Sequence, residues 1–518
     1  MGRADAANCH DAATPAREPG PAGPSPRMCE TGSGASGWPV IRPATLTNET
    51  IPLRYVALGE TAEIGGSCHL LLAGDTGLML DAGVHPDRDG VDALPRLDIP
   101  AVRTDLHVDH VLVTHAHHDH LGALPVVLQR FPHALVHMTK ATRTLSEFLL
   151  RASARLQKRR IREGSSTEDP LFLEDELEFH EYLYLAHELG VSFDVSGVRD
   201  HVPVRATFHH AGHVLGAAIV DVTVGTGEAA QRVVYTGDVH LRNQILTPGA
   251  DLPEGPVDVL ILESTLGADP VPETTSRKTE EDRMGQALQE VIAGGGSVLI
   301  PVFALGRAQE MVALVDRFKR RGLVPHDTPV YTAGSMRALA EITDATRHTT
   351  PRLDADVVIG DIAQVRYPRS STAVVNALAT PSIFILSSGM LFERTPSNDL
   401  AQYLVDQAKH GIFLVGFAKE DSPGGQLIAA AASGDPDAEV TFDPQTGPQA
   451  VACRVERFRF SGHAHRQDLL RVVSTLQPKT VVLVHGEDAA KDWLEGEIRR
   501  FHPETRVVRP KQGETVDL

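Results

Sequence analysis

Thr114-His115-Ala116-His117-His118-Asp119-His120-Leu121-Gly122-Ala123-Leu124-Pro125 is the stretch on which the reading of this chain turns. It follows the apolar run Val111-Leu112-Val113, so it reads as a strand that ends and a loop that begins. His115, His117, Asp119 and His120 are all ligands for a borderline divalent metal, and imidazole with carboxylate suits Zn²⁺ better than the all-oxygen shells of Mg²⁺ or Ca²⁺. Alternation along an extended strand end places His115, His117 and Asp119 on one side, and a turn then brings His120 round beside Asp119. In a chain with 25 histidines a merely polar loop is the competing reading, but H-x-H-x-D-H set between a β run and Gly-Ala-Leu-Pro is a poor match to it.

Working outward, other strands end in polar residues of the same kind. Gly77-Leu78-Met79-Leu80 ends in Asp81 and forms a hairpin with His69-Leu70-Leu71-Leu72-Ala73 across a Gly-Asp turn. Val204–His210 leads to His213, Arg232-Val233-Val234-Tyr235 to Asp238, Val257–Leu262 to Glu263, Arg457-Phe458-Arg459-Phe460 to His463, and Val481-Val482-Leu483-Val484 to His485. Each alone reads as a cap or turn residue; their shared place at strand ends is what makes a site. Asp105-Leu106-His107-Val108-Asp109-His110 repeats part of the spacing but precedes its strand, whereas open α/β sheets bind beyond the carboxyl ends, so it reads as structural.

The totals bound the answer. A chain of 518 residues with 42% hydrophobic and 23% charged content is a soluble globular protein of two or three domains. No apolar run reaches the ~20 residues that span a bilayer, so no membrane is expected. Cys9, Cys29, Cys68 and Cys453 lack CxxC spacing, which argues against a disulfide scaffold or a thiolate zinc site and fits a cytoplasmic protein. The formal charge of −19 is unfavourable for a polyanion partner, although net charge does not describe a local cleft.

Residues 1–47 are Ala-, Gly- and Pro-rich and read as a disordered tail without the pattern of a signal peptide. Residues 123–195 read mainly as helices, including an amphipathic basic one over Thr139–Arg162 with an acidic stretch beyond Ser165. From residue 269 strands and helices alternate as in a compact βαβ domain with a parallel sheet. The domains expected are therefore 48–268 and 423–518 as two parts of one β-rich domain, with 269–422 inserted between them.

Taken together, Asp81, His115-x-His117-x-Asp119-His120, His213, Asp238 and His463 resemble the signature of the metallo-β-lactamase fold. That resemblance implies an α/β architecture, an αββα sandwich holding two zinc ions at its sheet ends. The inserted segment, with Glu263-Ser264-Thr265, Phe303-Ala304-Leu305-Gly306-Arg307 and Ser387-Ser388-Gly389-Met390, looks like a β-CASP domain, the mark of the nucleic-acid branch. His210-Ala211-Gly212-His213-Val214-Leu215-Gly216 and Leu483-Val484-His485-Gly486-Glu487 are similar to the cleavage-and-polyadenylation endonucleases and their prokaryotic relatives.

The resemblance implies roles residue by residue. His115, His117 and His213 would hold one zinc, Asp119, His120 and His463 the other, with Asp238 bridging and Asp119 orienting the attacking water. Asp81 would orient a ligand histidine, His485 would support the ligands from behind, and Glu263 matches a further acidic motif. A histidine common about ten residues past a Gly-aromatic pair, here Gly416-Phe417, falls near Gln426, which cannot donate a proton as imidazolium does. Arg307, Ser388 and Gly389 are expected to bind phosphates. The activity implied is zinc-dependent hydrolysis of single-stranded RNA. The competing readings are a metallo-hydrolase of small esters or thioesters and a catalytically weakened RNA-binding partner. Oligomeric state, a homodimer included, is left open.

Overall fold

The computed structural model describes residues 51–98, 107–164, 168–199, 202–270 and 274–518. The tail of residues 1–47, the first two residues of the His107 stretch and the start of the acidic segment at Ser165 lie outside the described residues.

Among the described residues two seven-stranded sheets face each other. The first runs in space Thr515–Asp517, Leu53–Ala57, His69–Ala73, Thr76–Leu80, His110–Leu112, Leu135–Thr139, Tyr184–His187. The second runs Arg506–Val508, Thr480–Val484, Val259–Glu263, Gln231–Tyr235, Ala218–Val224, Val204–His210, Phe193–Asp194. Period-two alternation decides which core each side chain joins. Val259 and Ile261 point between the sheets with Tyr55, Leu71, Phe208 and Val482, while Leu260 and Leu262 point outward and pack under helices with Leu469, Val473 and Leu494. Both faces are thus dry, which is why these strands read as unbroken apolar runs. The result is the αββα sandwich.

The third sheet belongs to the inserted domain and is parallel throughout, in the order Val365–Arg366, Val330–Thr332, Ile383–Leu386, Val298–Pro301, Gly411–Leu414, Arg454–Arg457. It has its own core, built on Leu299, Phe318, Phe384 and Phe413. Its edge strand Arg454–Arg457 lies past residue 422, and Phe458 and Phe460 still pack in its core, so by sheet membership the insertion runs to about residue 460. Residues 423–450 supply the helix Pro423–Ala432 and a small hairpin, Glu439–Thr441 with Pro448–Ala450, before that strand.

The segment 123–195 is less helical than its sequence suggested. The helices Leu124–Arg130, Lys140–Arg162 and Glu174–His180 are there, the long one capped by the Thr139 hydroxyl on the Thr142 amide. Leu135–Thr139, Tyr184–His187 and Phe193–Asp194 are nevertheless strands, extending both sheets at one end. Runs this short carry too few residues for a period of two to stand out from one turn of buried helix.

One buried carboxylate fastens the insertion to the sandwich. Glu310, on the inserted helix Arg307–Arg320, accepts the backbone N–H groups of Ile245 (2.5 Å), Leu246 (3.1 Å) and Thr247 (3.1 Å). Truncating it strands three donors in an apolar seam with Ile245 and Leu246. Glu310→Ala is therefore expected to lower the unfolding free energy by about 3–5 kcal/mol. Chemical denaturation checks this, and a loss below ~1 kcal/mol would mean the three amides find other partners.

Candidate metal centre

Parallel pairing carries the strands Thr76–Leu80 and His110–Leu112 of one sheet, and Gln231–Tyr235, Val259–Glu263 and Thr480–Val484 of the other, so that their carboxyl ends meet at one edge of the sandwich. Asp81, His115, Asp238, Glu263 and His485 are the first His, Asp or Glu residues past, or at, those ends. The turns are tight. Asp81 (φ 59) and His485 (φ 49) adopt the left-handed region, which side-chain-bearing residues seldom do. Gly237 (φ 49) must lack a Cβ, because one would lie 2.8 Å from the Thr114 side chain.

Hydrogen bonds at the back of the first cluster fix which nitrogen of each ring faces forward. The Thr114 hydroxyl donates to the Asp81 carboxylate (2.8 Å), so at 3.0 Å it can only accept from His115 Nδ1–H, and Nε2 keeps its lone pair. His117 donates through Nε2 to the Leu305 carbonyl (3.3 Å), leaving Nδ1. His213 donates through Nδ1 to the Gly462 carbonyl (2.9 Å), leaving Nε2. Those three free nitrogens converge: His117 Nδ1 is 3.1 Å from both His115 Nε2 and His213 Nε2, and Asp238 Oδ2 stands 3.6 and 3.5 Å from the latter two. Lone pairs aimed at one another repel unless a cation sits among them, so this donor set fits a tetrahedral metal.

A second cluster lies on the other side of Asp238, formed by Asp119, His120 and His485. His120 donates through Nδ1 to Asp81 (2.7 Å) and presents Nε2 at 3.3 Å from Asp238 Oδ1. Asp81 is held in turn by the Thr114 amide (2.7 Å) and the Tyr235 hydroxyl (2.8 Å). The Thr265 hydroxyl, donating to the His485 carbonyl (3.3 Å), accepts from His485 Nδ1–H (3.1 Å) and leaves Nε2 free, 3.4 Å from Asp119 Oδ2. His485 Nε2 and Asp238 Oδ1 are both buried with no hydrogen-bond partner among the described residues. An orphaned lone pair and an orphaned carboxylate oxygen in one buried cluster fit a second divalent cation.

Two histidines exchange parts relative to the sequence reading. His485, expected as a support, completes the second cluster. His463, expected in that cluster, instead points Nδ1 at Glu263, 3.1 Å from Oε2, and stands 3.9 Å from Asp238. Glu263 is anchored by accepting the Val239 amide (2.7 Å). Burial opposes charge on the His463 ring, but the carboxylates of Glu263 and Asp238 outweigh it and hold the pKa at about 9. Strand-end position alone could not separate the two rings; the Glu263 contact does.

Gln426 is not at the centre. It lies exposed on the helix Pro423–Ala432 and bonds the Asp421 carbonyl (3.0 Å). Counting from Gly416-Phe417 reached this helix because the small hairpin and edge strand that follow it were not foreseen; the chain returns to the centre only at Ser461-Gly462-His463. Arg307 does reach it. A Cβ on Gly462 would be 2.9 Å from the Arg307 guanidinium and 3.1 Å from His213 Nδ1, and Arg307 Nη1 is buried without a partner among the described residues. Burial draws its pKa down to about 10, so it stays cationic at neutral pH. Ser388 accepts the Phe392 amide (3.0 Å) and Gly389 backs onto Phe303, contacts internal to the inserted domain. In the His107 stretch, Asp109 holds the Gly77 amide (3.0 Å) and His110 bonds His137 (2.9 Å), at the opposite end of its strand.

Tyr235 and Thr114 were not singled out in the sequence, although both sit one to three residues before a ligand. Their hydrogen bonds to Asp81 set the His120 tautomer. Asp81→Asn, which cannot accept all of these donors, is expected to weaken metal binding by about 10–100-fold. Competition against a chromophoric chelator checks this, and unchanged affinity would show that Asp81 does not orient His120.

Three family models match in order along the chain: metallo-beta-lactamase superfamily over residues 62–278, Beta-Casp domain over 308–427, and Zn-dependent metallo-hydrolase RNA specificity domain over 448–510. Cleavage and polyadenylation specificity factor 73 of Drosophila melanogaster is 28% identical over 474 residues, covering 90% of this chain and 65% of that protein. Endoribonuclease YSH1 of Candida glabrata is 29% identical over 447 residues, covering 84% and 55%. Endoribonuclease YSH1 of Saccharomyces cerevisiae is 28% identical over 489 residues, covering 90% and 60%. The chain thus spans 55–65% of the length of these relatives. With its paired His/Asp clusters, sandwich and parallel insertion, the chain carries a metallo-β-lactamase domain joined to a β-CASP domain.

Proposed function

We propose that this chain is a zinc-dependent ribonuclease that hydrolyses phosphodiesters of single-stranded RNA. The observation that carries the proposal is the pair of buried clusters joined through the two oxygens of Asp238, with the His463–Glu263 pair beside them. His115, His117, His213 and Asp238 would hold one zinc, and Asp119, His120, His485 and Asp238 the other. Two zinc ions there supply Lewis acidity, lowering the pKa of water toward neutrality and offsetting charge on the phosphate.

The chain's own groups account for the rest. Asp119, partly open to solvent beside the second cluster, orients the attacking water. Glu263 keeps a proton on His463 Nδ1 and aims the ring, so that His463 protonates the departing 3′-oxygen and leaves a 5′-phosphate on the other fragment. Arg307, cationic beside the first cluster, binds a phosphate oxygen. The cleft next to His463 is also lined by Arg242, Arg277, Arg457 and Arg459 against the carboxylates Asp269 and Glu280, so its lining carries more positive than negative side chains although the chain carries −19 overall. Relatives named as endoribonucleases, the β-CASP insertion and the RNA specificity domain all support RNA as the substrate. No helix among the described residues is long and apolar enough to cross a membrane.

The two histidines give a sharp test with labelled single-stranded RNA and metal analysis of the same samples. His485→Ala is expected to lose metal and cleavage together. His463→Ala is expected to keep its metal while cleavage falls about 10²–10⁴-fold. Equal metal loss in both variants would return His463 to the ligand set; turnover of thioesters without RNA cleavage by the wild-type protein would overturn the substrate.

A further inference from the structure

The cleft beside His463 contains polar groups that the proposed chemistry does not use. His240 reaches it from the loop that follows Asp238. Its Nδ1 lies 3.0 Å from the His463 carbonyl, which can only accept, so Nδ1 carries the hydrogen. The ring is buried, shares the cleft with Arg277, and has no carboxylate in ion-pair contact among the described residues. His240 Nε2 is then a lone pair, and it is buried with no partner among the described residues.

Arg277 lines the same cleft from the first turn of the helix Arg277–Ala293. Its guanidinium rests over the Phe460 ring at 5.3 Å, and its nearest carboxylates, Glu310 and Glu281, stand 3.7 and 3.8 Å away. Its Nε and Nη2 are buried without hydrogen-bond partners among the described residues. Unused donors alone would suit any anion. An unused acceptor beside them does not, because it would face the oxygen of a bare phosphate lone pair to lone pair. A ribose 2′-hydroxyl next to its phosphate meets both demands, offering a donor to the imidazole and oxyanions to the guanidinium.

We propose that His240 and Arg277 form a subsite for one ribonucleotide of the bound strand, His240 Nε2 accepting from its 2′-hydroxyl and Arg277 holding the adjoining phosphate. The subsite rests on the ribonuclease reading and adds to it the means of telling RNA from DNA at one position.

The test is a set of labelled RNA strands carrying a single 2′-deoxynucleotide at each position in turn, cleaved by the zinc-loaded wild-type, His240→Ala and Arg277→Ala proteins, with strand binding followed by fluorescence anisotropy. In the wild type, one position near the scissile bond is expected to lose roughly 3–10-fold on removal of its hydroxyl, the worth of one neutral hydrogen bond. His240→Ala is expected to suffer that loss on all-ribose RNA and no further loss at that position. Arg277→Ala, in the first turn of its helix, is expected to reduce the salt dependence of binding by about 0.7 in slope, one phosphate contact. Undiminished sensitivity to the deoxynucleotide in His240→Ala, or no sensitive position in a wild type that cleaves RNA, overturns the subsite alone. An unchanged salt slope in Arg277→Ala does the same even if His240→Ala fails to fold. Wild-type protein that neither binds nor cleaves RNA overturns the ribonuclease reading and the subsite with it.

Discussion

The centre depends on one buried carboxylate. Asp238 sends Oδ2 toward His115 and His213 and Oδ1 toward His120 and His485, so each of its oxygens serves a different cluster. A carboxylate so enclosed is costly unless cations compensate it, and the surrounding imidazoles cannot all do so, because burial pushes the His115, His117 and His213 rings toward their neutral forms. The arrangement is therefore coherent as a pair of metal sites. Everything behind it, from Asp81 with Thr114 and Tyr235 to the Thr265 hydroxyl and the Leu305 and Gly462 carbonyls, serves to set tautomers.

Two of those rear acceptors come from beyond the first sandwich segment. Leu305 belongs to the insertion and Gly462 to the returning chain, so the His117 tautomer is fixed only when the insertion is docked and the His213 tautomer only when the chain has returned to the sandwich. Glu310 and Arg307, one turn apart on the same inserted helix, then link docking to the site. One clamps the Ile245–Thr247 backbone, and the other brings a cation beside His213. The insertion is thus a structural partner of the metal centre as well as a wall of the cleft.

Much of this was legible in the sequence because strand ends in a sheet dry on both faces announce themselves. An unbroken apolar run followed by His, Asp or Glu leaves the polar group nowhere to go but the sheet edge, and that located Asp81, His115, His213, Asp238, Glu263 and His485. What was not legible is long-range. The separate parts of His463 and His485 follow from which ring meets Glu263, a contact across 200 residues of chain. Gln426 was misplaced because a hairpin and an edge strand intervene before the chain returns. The short strands within 123–195 are held by neighbours rather than by their own pattern. His240 and Arg277 gave no signal at all, since an orphaned lone pair exists only once its surroundings are built.

Zinc titration of the metal-free wild-type protein and of Asp238→Asn, followed by calorimetry, reaches the central claim most directly. A shared carboxylate predicts two equivalents in the wild type and weakening of both in the variant, since an amide offers one oxygen where two are used. A single equivalent in the wild type, or a variant in which only one of two sites weakens, would contradict the bridging role of Asp238.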